Sequence, residues 1–302
     1  MSNPQPGIFL ASQPHQYVLE YDILDGQDTE AVISALRHVR KFFKGMPEEI
    51  SHVISFGPAL YRCLAGERTP TNLNSFETIV GSDGKTAPAS QRDVLVWLQG
   101  PFRDVLFDMA MKTDHVLGAV ASCGLELSGF IYHDSRDLTG FIDGSANPTG
   151  DLVSQTALVP EGETGAGGAH MLTQKWVHNL DAFNSLPVDD QERVIGRTKA
   201  ESIELEGDAM PANSHVSRTD AKIDGAAQRL YRRSFPYGSV SEHGLYFLAF
   251  SCDPGRFDLL LRRMFGVSGD GLVDSLTDFS TAVSGAYWFA PSCEDLDAIT
   301  RV

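Results

Sequence analysis

Hydrophobic and polar residues alternate or recur at regular spacing along the first 131 residues and predict a series of strands and helices there. Strands are predicted where β-branched and aromatic residues cluster, at residues 16–24, 52–56, 93–98 and 123–131. Asp28 is a suitable N-cap for a helix that runs to about Lys44, and a second helix is predicted from Arg103 to about Leu117. The first helix has an apolar face at helical spacing, formed by Val32, Leu36, Val39 and Phe43. The predicted order is strand, helix, strand, strand, helix, strand.

The second half of the chain follows the same order without a visible sequence repeat. Strands are predicted at residues 169–180, 230–237, 245–251 and within 286–290, and helices at 189–195 and 254–265. Because βαββαβ is the order of a ferredoxin-like unit, the predicted fold class is α+β with two ferredoxin-like halves, each an antiparallel sheet with helices packed on it. The predicted domains are residues 1–135 and 136–302. The second includes a long loop at 136–168, of the kind that often carries function.

The composition is that of a folded globular protein with a high negative charge. Of 302 residues, 42% are hydrophobic and 21% are charged, and the formal net charge is −16 at pH 7. This length suits one large domain or two modest ones. The negative charge argues against a nucleic acid or an anionic membrane surface as a partner. A small anionic substrate would need a local basic pocket.

The N-terminal sequence and the cysteines predict a cytoplasmic protein. The start, MSNPQPGIFLASQPHQ, has neither the basic region nor the apolar core of a secretory signal, and no apolar run is long enough to span a bilayer. Reduced, partly buried thiols are favoured over a structural zinc site, because no CxxC pair is formed by Cys63, Cys123, Cys252 and Cys293. A homo-oligomer is expected, since ferredoxin-like sheets have open edges that can pair between molecules.

The first candidate for chemistry is Asp143, in the sequence GFIDGSANP that begins at Gly140. Asp143 followed by Gly144 is a turn signal, and an aspartate that bonds its own backbone is the simpler interpretation. Phe141 and Ile142 place the carboxylate directly after apolar residues, however. A partly desolvated carboxylate has a raised pKa and can serve as an acid or a base.

The second candidate is His215, in the polar and turn-rich sequence NSHVSRTD. A histidine of this kind is more often a surface residue or a satisfied core residue than a ligand. No HxxxH or HExxH pattern and no Cys/His cluster accompanies it, so the sequence does not predict a site with several histidine ligands. A single histidine suffices as a metal ligand if a porphyrin provides the others.

The third candidate is Arg232, in the sequence YRRSFPY that ends at Tyr237. A core strand does not normally carry adjacent guanidinium groups, because burying one without a partner is costly. Period-two alternation places Arg232 and Ser234 on one face of the predicted strand and Arg233 and Phe235 on the other. Arg232 is either a solvated charge or an inward cation that binds a carboxylate or stabilises developing negative charge.

Taken together, GFIDGSANP around Asp143, NSHVSRTD around His215 and YRRSFPYG around Arg232 resemble the dye-decolorizing peroxidases, which are haem enzymes of doubled ferredoxin-like fold. The GxxDG form at Gly140–Gly144 is similar to the distal signature of that family. IGRTKAES at Ile195–Ser202 resembles the compact bacterial class B branch. The resemblance covers nearly the whole chain, and the three motifs stand in the order of the family.

The resemblance implies haem b as the cofactor, held in the C-terminal half, with His215 as the axial ligand of the iron. Asp143 and Arg232 would act on the opposite, distal face of the haem, and Ser234 would form a hydrogen bond there. Arg197 would bind a haem propionate, because a guanidinium matches the fork of a carboxylate.

A proximal histidine usually donates its other N–H to a carboxylate or carbonyl group. Two carboxylates in the sequence VDSLTDFS, Asp274 and Asp278, are candidates for this partner, and the sequence does not choose between them.

The implied activity is that of a haem-dependent peroxidase. Hydrogen peroxide would be cleaved heterolytically with formation of a ferryl intermediate, and bulky phenolic or dye-like donors would return it to the resting state by one-electron steps. Such donors would be oxidised at the haem edge or through aromatic relays, although core packing explains each of these residues singly. The candidate relays are Tyr231, Tyr237, Tyr246, Trp176 and Trp288.

Two alternatives belong to other classes of protein. One is a haem carrier or a deferrochelatase-like protein that removes iron from haem, and the other is a binding module without haem. The final sequence, DLDAITRV, leaves little room for a tail that would dock into an encapsulating shell.

Overall fold

The computed structural model describes residues 2–301, which form a mixed α/β fold built on antiparallel strands. Its strands are β1 His15–Ile23, β2 Ser51–Phe56, β3 Ile79–Val80, β4 Thr86–Ala87, β5 Val94–Gly100, β6 Ala121–Phe130, β7 Ala169–His178, β8 Lys222–Ile223, β9 Ala226–Ala227, β10 Tyr231–Arg232, β11 Phe235–Gly238, β12 His243–Ser251, β13 Ser280–Ala282 and β14 Ala286–Ala290. Its α helices are α1 Thr29–Phe43, α2 Pro58–Ala65, α3 Arg103–Leu117, α4 Leu152–Ala157, α5 Leu180–Asn184, α6 Val188–Ile195, α7 His215–Thr219, α8 Gly255–Met264 and α9 Cys293–Thr300. Short 3-10 helices lie at Pro6–Ile8, Gly66–Arg68, Gly207–Ala209 and Ser275–Asp278.

Ten strands form one sheet that closes on itself. The sheet has the order β10-β12-β11-β6-β1-β5-β2-β14-β7-β13, and an additional antiparallel pairing of β12 with β7 completes a barrel. β10 and β11 both pair with β12 and are two parts of one interrupted strand. β13 and β14 are related to β7 in the same way.

The antiparallel strands of the two halves are joined in one sheet, which the sequence analysis did not predict. β6-β1-β5-β2 lie in the first half of the chain and β11-β12-β7-β14 in the second. The outer strands meet at two seams, where Phe289 pairs with Phe56 and Tyr237 pairs with Gly129. Strand edges carry unpaired N–H and C=O groups, and each seam pairs only one residue of one half with one residue of the other. The oligomeric state stays a prediction.

The closed sheet separates a core inside the barrel from two cores outside it. The inner core takes side chains from both halves of the barrel, among them Val18, Trp97 and Leu248. Along β1 the side chains alternate between the two sides, so that Val18 lies inside and Leu19 packs outside against α1 and α3. Outside the second half, α8 packs its apolar face on β7 and β12.

Most of the predicted helices and strands are confirmed, including short ones, but several short helices were missed. Asp28 is the N-cap of α1 as expected, and α3, α6, α8 and β14 lie where they were predicted. The predicted strand at 230–237 is interrupted after Arg232, and the predicted strand at 169–180 ends at His178 because α5 follows. The helices α2, α4, α5, α7 and α9 were not predicted: none exceeds eight residues, and of the helices this short only α6 was recognised from its sequence.

Neither a membrane-spanning helix nor a multi-residue metal site is found in residues 2–301. No helix there combines the length and the apolar composition needed to cross a bilayer. No group of three or more His, Cys, Asp or Glu side chains in the same residues is arranged to hold a metal ion. All four cysteines are free thiols, and Cys63 and Cys123 are exposed rather than partly buried.

Candidate active site

A cavity of about 580 Å³ lies on the outer face of the second half of the barrel. All of its lining residues fall between Asp137 and Ser280. The walls are mainly apolar, with side chains from β7, β12 and α8 that include Leu172, Leu245, Phe247, Phe257, Leu261 and Met264. Four of the predicted site residues line this cavity together: Asp143, Arg197, His215 and Arg232. A largely apolar chamber with a few convergent polar groups is typical of a cofactor or substrate site.

Asp143 is presented by a loop whose shape depends on glycine. Gly140 and Gly144 flank it with φ of 88° and 76°, a conformation that residues with a Cβ adopt only at a cost. The backbone N–H of Asp143 donates to the carbonyl of Ser135 at 3.0 Å. The turn that the sequence predicted is therefore present, and it directs the carboxylate into the cavity rather than to bulk solvent.

Asn147 fixes this loop to the strand that carries Arg232. Its Nδ2 donates to the carbonyl oxygen of Arg232 at 2.8 Å, and its Oδ1 accepts from the backbone N–H of Arg232 at 3.0 Å. The amide thus pairs with the backbone as a neighbouring strand would. The two-point contact holds Asp143 and Arg232 on the same wall, although 85 residues separate Asn147 from Arg232. Our sequence analysis quoted Asn147 within its motif but gave it no role.

The electrostatic setting of Asp143 suits a group that exchanges protons. Burial raises the pKa of Asp143 above its ordinary value, and the positive charge of Arg232 offsets part of that effect. Within residues 2–301 the Arg232 guanidinium has no ion-pair or hydrogen-bond partner of its own, although its backbone is bound by Asn147. An unpaired cation in a confined cavity is available to a ligand or to developing negative charge.

Arg233 and Ser234 follow Arg232 in the sequence YRRSFPY, and their contacts explain why polar side chains are present in this strand region. Arg233 points to the other side of the sheet, where it donates to the carbonyl of Ile8 at 2.6 Å and to Gln99 Oε1 at 3.0 Å. Ser234 lies in the interruption between β10 and β11, and its hydroxyl accepts from the backbone N–H of Leu248 at 3.3 Å. Ser234 does not line the cavity, so its expected distal role stays a prediction without support from this geometry.

His215 begins the short helix α7, which also lines the cavity. Ser214 is the N-cap, with its hydroxyl accepting from the N–H of Ser217 at 3.3 Å. Arg218, which is 2% exposed, ties α7 to α8 by donating to the carbonyl of Arg263 at 3.0 Å. The guanidinium of Arg263 donates back to the carbonyl of Arg218 at 3.0 Å. This reciprocal contact fixes the helix that carries His215.

The carboxylate that holds His215 is Asp274. His215 Nδ1 lies 2.7 Å from Asp274 Oδ2, and Asp274 is fully buried. The other oxygen of Asp274 accepts from the backbone N–H of Leu276 at 2.9 Å, so both ends of the carboxylate are fixed. Asp278, the other candidate, instead forms an ion pair with Lys85 at 2.6 Å near the surface. With Nδ1 engaged, Nε2 is the nitrogen of His215 that remains for a ligand in the cavity.

Two further polar pairs lie on the cavity wall. The pair of His178 and Asp137 was not predicted from the sequence, and of the pair of Arg197 and Glu204 only Arg197 was. His178 Nε2 lies 3.1 Å from Asp137 Oδ2, and its Nδ1 lies 2.8 Å from the hydroxyl of Ser280. Burial is the largest single influence and raises the pKa of Asp137, but the hydrogen bond and charge of His178 and the hydrogen bonds from Thr139 together leave the pKa below the ordinary value. Arg197 also lines the cavity, where it forms an ion pair with Glu204.

The fold and the site combine a closed antiparallel barrel with an apolar cavity that is lined by one carboxylate-bound imidazole and by a carboxylate and a guanidinium group. The chain matches the N-terminal domain of the Dyp-type peroxidases over residues 5–131 and their C-terminal domain over residues 134–295. The chain therefore belongs to the Dyp-type peroxidase family.

Characterised relatives and solved structures resemble the chain over most of its length. A dye-decolorizing peroxidase from Mycobacterium tuberculosis is 38% identical over 260 residues, which cover 84% of this chain and 77% of the relative. A DypB variant from Rhodococcus jostii RHA1, solved in complex with haem, superposes with a TM-score of 0.89 at 32% identity and covers 95% of this chain and 96% of its own. The encapsulated DyP-type peroxidase from Mycobacterium smegmatis has a TM-score of 0.91 at 33% identity, with 98% of each chain covered.

Proposed function

We propose that this protein is a haem-dependent peroxidase that binds haem b in the cavity, with His215 Nε2 as the axial ligand of the iron. The observation that carries the proposal is the contact between His215 Nδ1 and the buried carboxylate of Asp274 at 2.7 Å. A carboxylate on the second nitrogen fixes the ring and makes the first nitrogen a stronger ligand. The apolar walls fit a porphyrin, and a single imidazole suffices because a porphyrin provides the other ligands.

We also propose that the barrel consists of two ferredoxin-like halves and that the haem site lies in the second half. If the four strands of each half are numbered along the chain, their spatial order in the sheet is fourth, first, third, second. The order is the same in both halves, β6-β1-β5-β2 and β14-β7-β12-β11, which is consistent with two ferredoxin-like halves. The cavity is lined entirely from Asp137 onward, which favours a haem site in the second half. We keep the boundary between residues 135 and 136 as the proposed division.

The residues of the distal wall have distinct parts in peroxide cleavage. Bound haem would supply the electrons for reducing hydrogen peroxide, and small-molecule donors would replace them one at a time. Asp143 would take a proton from one oxygen of hydrogen peroxide and deliver it to the other oxygen, which would then leave as water. Its raised pKa brings the carboxyl group closer to the pH at which proton exchange is effective. Arg232 stabilises the negative charge that develops as the O–O bond breaks.

Arg197 is proposed as a partner of a haem propionate. Its guanidinium lies on the cavity wall and is already paired with a carboxylate, Glu204. A propionate presents the same fork of oxygens and would compete for the guanidinium or share it. Bulky phenolic or dye-like molecules remain the proposed donors.

The first prediction concerns Asp274. Asp274→Asn is expected to weaken haem binding by about 10–100-fold, because the neutral amide no longer holds the imidazole as a charged partner does. Haem affinity is measured by titrating the apoprotein with hemin. Asp278→Asn is the matched control, since that carboxylate pairs with Lys85 near the surface. Equal haem affinity in Asp274→Asn and wild type would contradict the proposed ligation.

The second prediction tests the function itself. The protein purified from haem-sufficient cells is expected to show the haem absorption band, and one equivalent of hydrogen peroxide is expected to shift that band within the mixing time. A phenolic donor then restores the original spectrum over repeated additions of peroxide. Bleaching without recovery would favour a haem carrier or an iron-releasing protein. Absence of the band even after added hemin would refute the proposal.

A further inference from the structure

The loop that carries Asp143 lies against a second loop of the cavity wall. The first, residues 135–144, is called the Asp143 loop, and the second, residues 196–204, is called the Arg197 loop. The Arg197 loop is a narrow hairpin in which Arg197 and Glu204 form an antiparallel bridge. Asp143 and Arg197 both line the cavity. Contacts between the two loops therefore connect the site proposed for peroxide with the site proposed for a haem propionate.

The side chain of Arg136 bonds the backbone of both loops. Its Nη1 donates to the carbonyl oxygen of Gly140 at 2.8 Å, within the Asp143 loop, and to that of Lys199 at 2.7 Å, within the Arg197 loop. Its Nη2 donates to the carbonyl oxygen of Ala200 at 3.1 Å. Carbonyl groups of two different loops thus meet at one rigid, planar cation. The guanidinium fixes the distance between the loops.

Asp134 fixes the orientation of this guanidinium. Nε of Arg136 donates to Asp134 Oδ1 at 2.8 Å, and Nη2 donates to Oδ2 at 3.1 Å. An arginine side chain has five N–H groups, and the bonds to the carboxylate and to the three carbonyls engage all of them. The side chain of Arg136 is 19% exposed, although that of Asp134 is 65% exposed. Arg136 is therefore a fixed part of the contact between the loops rather than a solvated surface charge.

An apolar contact and a close approach of the two loops accompany these bonds. Phe141 of the Asp143 loop is 5% exposed and packs with Phe183 and Ile195, and Ile195 directly precedes the Arg197 loop. Nζ of Lys199 lies 5.6 Å from the centre of the Phe141 ring. A Cβ on Gly140 would lie 2.7 Å from Cε of Lys199, so the loops are in close contact at this point. A shift of one loop would therefore be felt by the other.

We propose that Arg136 is a positioning residue that holds Asp143 in place on the cavity wall and makes this place depend on the Arg197 loop. The carbonyl of Gly140, which accepts from Arg136, lies three residues before Asp143. The N–H of Asp143 donates to the carbonyl of Ser135, the residue before Arg136. Arg136 does not itself line the cavity, so it acts through Asp143. The inference rests on the proposed peroxidase function, which assigns the parts of Asp143 and Arg197.

Replacing Arg136 with lysine keeps the positive charge but loses the planar fork that reaches both loops. Arg136→Lys is expected to lower the rate constant for reaction of the haem-loaded protein with hydrogen peroxide by about tenfold to a hundredfold, because displacing a reacting group by about 1 Å has effects of this size. Arg262→Lys is the matched control, since Arg262 also binds a carboxylate, Asp258 at 2.7 Å, but on an exposed part of α8. Its rate constant is expected to equal that of the wild type. A wild-type rate constant in Arg136→Lys would overturn the inference.

A double substitution shows whether Arg136 acts through Asp143. In Asp143→Asn the proton acceptor is already lost, so adding Arg136→Lys is expected to lower the rate constant further by no more than a factor of about two. Residues that work independently of each other would instead give the same fold loss in both backgrounds. That additive result would contradict the positioning role.

The pH dependence of the rate constant is a readout that a general loss of stability does not move. Burial raises the pKa of Asp143. The charges that face the carboxylate are Arg232 and His215, which lower its pKa, and Asp137, which raises it. Arg136→Lys changes none of these charges, but a loosened loop admits water and weakens the effect of burial, so the pKa of Asp143 is expected to fall.

The ionised carboxylate of Asp143 accepts the proton, so the rate constant decreases as the pH is lowered through this pKa. The midpoint of that decrease is therefore expected at a lower pH in Arg136→Lys than in the wild type. The same midpoint in both proteins would refute the positioning of Asp143 by Arg136.

Hydrogen–deuterium exchange, measured by mass spectrometry on the protein without haem, needs neither cofactor nor peroxide. The amides of both loops are expected to exchange faster in Arg136→Lys than in the wild type or in Arg262→Lys, because the three carbonyls lose their common donor. Asp134→Asn removes the charge that orients the guanidinium and is expected to act in the same direction with a smaller effect. This variant keeps the inference testable if Arg136→Lys does not fold. Unchanged exchange in both loops would overturn the inference.

These measurements distinguish failure of this inference from failure of the peroxidase function. A haem band that responds to peroxide equally fast in Arg136→Lys and wild type overturns the role of Arg136 and leaves the peroxidase function intact. A wild-type haem band that does not respond to peroxide overturns the peroxidase function, whereas faster exchange in both loops of Arg136→Lys would still show that Arg136 connects them.

Discussion

Replacing Arg232 with alanine is expected to lower the rate constant for reaction of the haem-loaded protein with hydrogen peroxide by about a hundredfold or more. The guanidinium lies on the cavity wall beside Asp143 and has no other partner in residues 2–301, so its charge is available to the breaking O–O bond. Stopped-flow absorbance at several peroxide concentrations measures the rate constant. Haem content is expected to stay unchanged, because the proposed axial ligand, His215, is left in place.

The control for charge alone is Arg229→Ala. Arg229 also lines the cavity but is exposed, so its removal changes the net charge by the same amount and is expected to have little effect on the rate. Arg232→Lys separates charge from geometry, since an ammonium keeps the charge but loses the planar fork. Rate constants for Arg232→Ala within a factor of about two of wild type would exclude a role in peroxide cleavage, because a preorganised donor contributes far more than that.

Replacing His215 with alanine is expected to remove the normal ligation of haem and most of the bound cofactor. Nε2 of His215 is the proposed bond to iron, and the substitution also leaves the buried Asp274 without its cationic or N–H partner. An uncompensated buried carboxylate is destabilising by up to about 3–5 kcal/mol, so a lower free energy of unfolding is expected as well. Haem content, the position of the haem band and thermal unfolding are the measurements.

His215→Gln distinguishes loss of the ligand from loss of stability. The glutamine amide can donate a hydrogen bond to Asp274, so much of the stability is expected to return while the normal haem spectrum does not. His178→Ala is the second control, because this histidine lines the same cavity but is bound at both nitrogens, to Asp137 and Ser280. A wild-type haem spectrum in His215→Ala would refute the assignment of the ligand.

Helices and strands whose hydrophobic pattern extends over many residues could be predicted from sequence, and so could the residues that meet in the cavity. The apolar face of α1 spans four turns, and its N-cap at Asp28 was read correctly. Helix α7 could not be found in this way, because its five residues contain less than two turns. Its position is fixed by tertiary contacts, above all by the reciprocal bonds between Arg218 and Arg263.

The partners of the site residues were harder to predict than the residues themselves. Asp274 and Asp278 are four residues apart and chemically identical, and only the fold places one beside His215 and the other beside Lys85. Asn147 gives no signal beyond that of a turn residue, because its contact with the backbone of Arg232 depends on a loop closing over 85 residues. Joining of the two sheets was missed for the same reason, since strand pairing across the seams is not encoded locally.

The two seams of the barrel also determine what the second half can do by itself. That half contains every side chain that lines the cavity, yet β11 and β14 would each lose a neighbour if it were produced without the first half. Exposed strand edges recruit strands from other molecules, so a fragment beginning near residue 136 would aggregate despite carrying a complete set of cavity residues. The first half thus supports the chemistry indirectly, because its strands cover the two exposed edges of the second half.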